Sequence, residues 1–316
     1  MAMDQRKQRI LEAIVALYAV DGEPVGSGLL AHYFDMAVSS ATLRNEMAAL
    51  TRLGMLEQPH TSAGRVPSPQ GYRYYLDRLL GAPGATALAA EDKGRIDELF
   101  AAMDAEPEKL AQSAARSLAD YTHLAAAATT PQADDLCIAH FEVVQVGRYT
   151  AAVLAVTSAG GVRTRVARVG EGFTRGDAQA LAALLNRSLT FVVAEDALVR
   201  TGPQVFFEGA QYLAQAPDVR KNLGLLLEIF SDSRSGQTLI EPHGNKITAT
   251  LGEDVRPVLP GICIVSKRYL AGGGLTGTVA LIGSNRMAYQ RLIPVLNYFA
   301  SKLGQSMSGK KQEEQL

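Results

Sequence analysis

At 316 residues the chain is long enough for two to three domains of ordinary size. With 47% hydrophobic residues, 20% charged residues and a net charge of −1, it is neither polar enough for wholesale disorder nor charged enough for an acidic or basic scaffold. Cys137 and Cys263 lie far apart, with no C-x-x-C and no neighbouring histidine pair, so a locally spaced zinc or redox site is excluded and two buried small hydrophobes are expected. Arg6, Lys7 and Arg9 precede the apolar stretch 10–20 in the manner of a signal peptide. Glu12 interrupts that stretch and no small-residue cleavage pattern follows, so it reads as a helix. No run approaches the ~18 apolar residues of a membrane span, and a cytoplasmic location with no membrane partner is expected.

Leu11, Ile14, Val15 and Tyr18 share one helical face, and Gly22 and Pro24 end that first helix. Ser27 is placed to cap a short second helix through Tyr33, and Ser39 or Ser40 a third running to Leu53. Strands around Leu56 and Val66 flank a turn at 61–64, and Ser68 with Pro69 opens a helix bearing Tyr72, Tyr75, Leu76 and Leu79. Residues 81–90 read as a linker. Two amphipathic helices follow, centred on Ile96 to Met103 and on Leu110 to Tyr121, and the runs 140–146, 150–156 and 162–169 suit an antiparallel meander. Thr174 with Asp177 predicts a capped helix carrying Leu181, Leu185 and Leu189. Helical patterning continues over 206–230. Strands are predicted at 247–251, 262–269 and 278–282, then a helix over 286–305 and a disordered tail over 307–316.

Helix, helix, helix, strand, turn, strand, helix is the order of a winged helix-turn-helix, whose third helix enters the DNA major groove. At ~100° per residue, Leu43, Met47 and Leu50 fall on one side of that helix, and Ala41, Arg44, Asn45, Ala48 and Arg52 on the other. Alanines allow close approach; Arg can bond guanine twice, and Asn adenine. The hydroxyl-rich turn 59–65 ends in Arg65, which could follow a phosphate backbone or enter a minor groove. Residues 1–80 hold eight Lys/Arg and eight acids, so modest monomer affinity and a need for dimerisation are expected. Gly272, Gly274 and Gly277 fit a dinucleotide fingerprint, yet a strand rather than a helix follows, so they read as a hairpin loop. The five histidines show no metal-ligand spacing, and no nucleophile or metalloprotease motif occurs. No enzyme activity and no cofactor are expected.

The segments Pro24-Val25-Gly26-Ser27, Ser39-Ser40-Ala41-Thr42-Leu43-Arg44-Asn45-Glu46-Met47, Gln58-Pro59-His60-Thr61-Ser62-Ala63-Gly64-Arg65-Val66-Pro67 and Gly71-Tyr72-Arg73-Tyr74-Tyr75 resemble the bacterial heat-inducible transcription repressor family HrcA. The likeness continues through Glu208-Gly209-Ala210 and the stretch from Gly277 to Tyr289. It implies an α+β multidomain fold: a winged helix-turn-helix over 1–80, a discontinuous GAF-like α/β domain over 91–135 and 221–306, and an inserted dimerisation domain of antiparallel sheet plus helices over 136–220. It further implies a homodimer on an inverted-repeat (CIRCE-type) operator of chaperone operons, double-stranded DNA and the GroEL chaperonin as partners, and repression lost on heat stress. Carried onto this sequence, the DNA-contact role falls on Ser40, Arg44 and Asn45 with Ser39 and Thr42 beside them, on His60, Thr61, Ser62 and Arg65, and on Arg73 as a phosphate contact. Gly28 stands where the family has arginine, Ser284-Asn285 replaces Pro-Thr, and Ala288 replaces Asp. The GAF-like part invites a second reading, a small-molecule-sensing regulator, although the sequence shows no convergent polar cluster for a ligand. A third, an interaction module built on a winged helix, predicts that Arg44→Ala and Arg65→Ala leave regulation intact.

Overall fold

The computed structural model describes residues 3–81, 87–133, 138–157, 162–189, 203–272 and 274–308. Cys137, half of the expected linker (82–86) and the tail beyond Ser308 lie outside them. Helix α1 (Gln5–Asp21) starts at Asp4, whose carboxylate accepts the Lys7 backbone N–H at 2.8 Å, and stops at Gly22 in the left-handed region. Helix α2 (Ser27–Tyr33) differs from expectation at its start: Gly26 is the cap, no side chain serves there, and Ser27 is already helical. Helix α3 (Ser40–Arg52) is capped by Ser39, whose Oγ accepts the Thr42 N–H at 3.2 Å. Strands β1 (Leu56–Glu57) and β2 (Val66–Pro67) pair antiparallel, and α4 (Pro69–Gly81) opens with Ser68 Oγ accepting the Gly71 N–H at 3.0 Å. This is the element order expected, closed over Ile10, Leu11, Ile14, Leu30, Leu43, Met47, Leu50 and Leu76.

Helices α5 (Ala90–Ala101) and α6 (Pro107–Thr122) lead into a strand the sequence did not announce, β3 (Ala125–Thr129), and a short β4 (Gln132–Ala133). A separate three-stranded sheet follows. Strands β5 (Ile138–Gly147), β6 (Thr150–Thr157) and β7 (Val162–Arg168) form the expected antiparallel meander, and α7 (Arg175–Leu189) covers one face. The reciprocal cap is present: Asp177 Oδ2 accepts from Thr174 N at 2.8 Å while Thr174 Oγ1 accepts from Asp177 N at 3.2 Å. Asn186 on α7 bonds both the backbone N–H and the carbonyl of Phe141, at 2.6 and 2.8 Å, fixing the helix on the sheet.

Helical patterning over 206–230 is corrected at its start. Strand β8 (Val205–Glu208) pairs with β3, Phe207 opposite Ala127, before α8 (Ala210–Gln215), a single 3-10 turn and α9 (Leu223–Ser231). Phe206 and Phe207 pack into different cores, as successive strand residues must, and Gly209 at φ +80° starts the helix. Residues 205–208, expected within the unit 136–220, pair in the main sheet.

After α10 (Ser233–Ile240) come β9 (Thr248–Leu251), β10 (Ile262–Leu270), β11 (Leu275–Ser284) and α11 (Tyr289–Met307), which begins three residues later than predicted and takes in Met307 from the expected tail. The main sheet runs β8-β3-β11-β10-β9 with every pair antiparallel, and β4 also pairs with β11. Its two faces feed two cores. Ala126, Ala128, Val265, Val279 and Leu281 meet α6, α11 and the N-terminal helices; Ala125, Ala127, Ile264, Ala280 and Ile282 meet Leu213, Leu226 and Ile240 of α8, α9 and α10. Gly272 and Gly274 sit in the β10–β11 hairpin with positive φ, the loop expected in place of a dinucleotide fingerprint.

Candidate nucleic-acid interface

Helix α3 turns Leu43, Met47 and Leu50 inward and leaves Ser40, Ala41, Arg44, Asn45 and Arg52 exposed. Among the described residues the side chains of Arg44 and Asn45 make no hydrogen bond or ion pair, so their donors are open to a ligand. Ser39 Oγ also lies 2.9 Å from Thr42 Oγ1, so these two hydroxyls hold the helix start and stand at its dipole-positive end. Lys7 of α1, bonded to Asp4 at 2.6 Å, also reaches Glu46 Oε2 at 3.1 Å and so partly offsets the one acid on α3. Only the folded contact of α1 on α3 brings those residues together.

His60, Thr61 and Ser62 are exposed at the tip of the turn between β1 and β2. The turn is braced from within: Gln58 Nε2 donates to the carbonyls of Thr61 and Ala63 at 2.9 and 3.0 Å. At its base the Arg65 backbone exchanges two 2.9 Å hydrogen bonds with Val25. A Cβ on Gly64 would stand 2.3 Å from the Val25 carbonyl oxygen, which is why the turn closes on glycine. Arg65 itself folds back against α3, its Nε donating to Thr51 Oγ1 at 3.0 Å and its Nη1 to the Gly64 carbonyl at 3.3 Å. The guanidinium expected on a phosphate or in a groove is thus half-buried, joining the turn to the end of α3.

Arg73 is likewise not free. Its Nε and Nη2 grip Asp254, just after β9, at 2.8 and 2.5 Å, and hydrogen bonding from Arg73 holds the Asp254 carboxyl below the usual aspartate range. The residue expected on phosphate is therefore part of a seam between α4 and the main sheet. A second tie lies alongside: Arg286 stacks over Tyr18 at 5.8 Å and donates to Asp218 at 3.2 Å. The Tyr75 and Tyr289 rings also meet, joining α4 to α11 with centroids 6.2 Å apart. The sequence positions of Arg73 and Asp254 are 181 residues apart, and no local pattern relates them.

A family model described as "HrcA protein C terminal domain" matches residues 108–198 and 190–293. The chain belongs to the HrcA family. Two relatives bearing the name heat-inducible transcription repressor HrcA, from Moorella thermoacetica and Brevibacillus brevis, are 33% and 30% identical to it, each alignment spanning 97% of this chain and 98% of the relative. The HrcA likeness thus runs through the N-terminal α3 and turn motifs as well as the C-terminal part. A crystal structure described as a hypothetical protein shares the fold over 98% of this chain and 99% of its own, with a TM-score of 0.65 and 24% identity. None of the described helices is long and apolar enough to cross a membrane.

Proposed function

We propose that this HrcA-family chain is a transcriptional repressor of heat-shock chaperone genes, and that residues 3–81 form a winged helix-turn-helix binding an inverted-repeat operator. The observation that carries the reading is the outer face of α3, where small residues and the unpaired Arg44 and Asn45 stand together while Lys7 draws off Glu46. Arg44 and Asn45 read base edges. Ser39, Ser40 and Thr42 receive a phosphate at the helix start, and His60, Thr61 and Ser62 follow the backbone. Arg65 supports the turn's position, and Arg73 meets phosphate only if its tie to Asp254 is released.

The main sheet, with helices on both faces, supports a GAF-like domain, and the three-stranded sheet with α7 is the inserted dimerisation unit. Its outer face favours a homodimer. Val144, Ala152 and Val166 form one cross-strand row, and Val156 and Val162 continue it; Val166 is 62% exposed, and no described element covers it. Two half-site contacts joined in a dimer multiply an affinity that one charge-balanced reading unit cannot reach alone. Heat removes repression, and the GroEL chaperonin maintains the active form. Fluorescence anisotropy with an inverted-repeat operator and a scrambled duplex, across salt and with or without GroEL, tests this. A large operator preference that rises with the chaperonin is expected; no preference at any salt overturns the reading.

A further inference from the structure

A cleft of about 690 Å³ opens between α11, the end of β10 and the loop before β9, on the α11 side of the sheet. Asn245, Lys267, Asn297, Ser301, Gln305 and Ser308 line it. Lys267 leaves β10 on the face that carries Val265 and Tyr269 into the core, and its ammonium donates to the Asn245 carbonyl at 2.6 Å. Burial lowers its pKa from the ordinary lysine value. Of its three N–H donors one is used, and among the described residues no carboxylate lies within ion-pairing distance. Arg268, also at the rim, is already paired with Glu241.

Other cations nearby are already matched, Arg268 by Glu241 and Lys302 of α11 by Asp97, which leaves Lys267 as the lining cation without a carboxylate among the described residues. Helix α11 has no acid, and Lys246 adjoins Asn245. A half-desolvated ammonium with spare donors is stabilised by an anion that replaces lost hydration. The neutral amides and hydroxyls around Lys267 suit an anion with more acceptor oxygens than a carboxylate offers. The volume lies within the range of small-molecule sites and exceeds what bare phosphate fills.

We propose that this cleft binds the phosphate group of a small phosphorylated metabolite of about nucleotide size, with Lys267 as the charged anchor and Asn297, Ser301 and Gln305 as hydrogen-bonding partners. The site stands apart from α3 and the turn, so it does not rest on operator binding. Titration calorimetry and thermal shift on the full chain, with AMP and inorganic pyrophosphate as probes and adenosine as the uncharged control, test it. AMP and pyrophosphate are expected to bind and raise Tm, and adenosine to do neither. Lys267→Met keeps the apolar stem and is expected to weaken AMP binding by at least about tenfold, with Tm in the absence of probe showing that the variant is folded. Ser301→Ala provides the same reading, with a smaller loss, if Lys267→Met does not fold. Adenosine binding as tightly as AMP, unchanged AMP affinity in the folded variants, or no binding of either probe at millimolar concentration overturns the proposal.

Discussion

Gly64 is fixed by a distance rather than by its backbone angle. With the Val25 carbonyl oxygen 2.3 Å from where a Cβ would sit, Gly64→Ala forces the Val25–Arg65 bridge apart. A loss of about 1–3 kcal/mol is expected from such overpacking, seen as a lower Tm together with weaker operator binding. Arg44→Ala makes the opposite test, since among the described residues its side chain holds nothing together. It is expected to leave Tm unchanged and to weaken operator binding by ~1–3 kcal/mol more than binding to scrambled DNA; equal losses on both duplexes would remove its base-reading role. The placing of Arg44 and Asn45 was legible because helical periodicity alone separates them from Leu43 and Met47. The engagements of Arg65 and Arg73 were not, because Thr51 and Asp254 come near only when separate elements pack.

At the scale of elements, the seam between α4 and the main sheet has a sign in pH. The Asp254 carboxyl is lowered by the hydrogen bond from Arg73; at Asp218 burial pushes upward, but bonds from Ser284 and Arg286 outweigh it and the net shift is again down. Groups depressed by folding stabilise the folded form above their ordinary value, near 3.8, and lose that contribution as pH falls through the depressed value. The seam is therefore expected to hold through neutrality and loosen only in acid. The Arg73–Asp254 pair is about two-fifths exposed on each side, so its own share is at most about 1 kcal/mol. Asp254→Asn should speed hydrogen exchange of α4 amides at neutral pH and flatten its acid dependence; exchange equal to that of the parent chain would show that the apolar contacts alone hold the seam. Strand β3 explains why another element stayed hidden. A run of alanines favours helix by propensity and shows no alternation. Yet Ala125 and Ala127 face one core and Ala126 and Ala128 the other, all four fully buried.

For the molecule as a whole, the layout was legible in pieces. The meander, α7 and the β10–β11 hairpin announced themselves through short apolar or alternating runs, the Thr174–Asp177 pair and a glycine-rich loop, whereas β3 near 125 and β8 near 205 join the main sheet through pairings that leave no mark along the chain. The uncovered valine face predicts the assembly. Val166→Asp places a charge at the β7 end of the Val144–Ala152–Val166 row, on the face away from α7. Sedimentation should show a dimer for the parent chain and a folded monomer for the variant, with operator affinity falling in step; an intact dimer would place the interface elsewhere.

Thr129 in β3 bonds the Thr278 N–H across a gap of 149 residues. During synthesis, β3 therefore leaves the ribosome roughly 7–30 s before its β11 neighbour exists, at about 5–20 residues per second. Through that interval its alanines and the apolar side of α6 lack the partner that buries them. The central sheet therefore closes only once the last third of the chain has been made, so a chain cut short before β11 is expected to leave β3 without its neighbour.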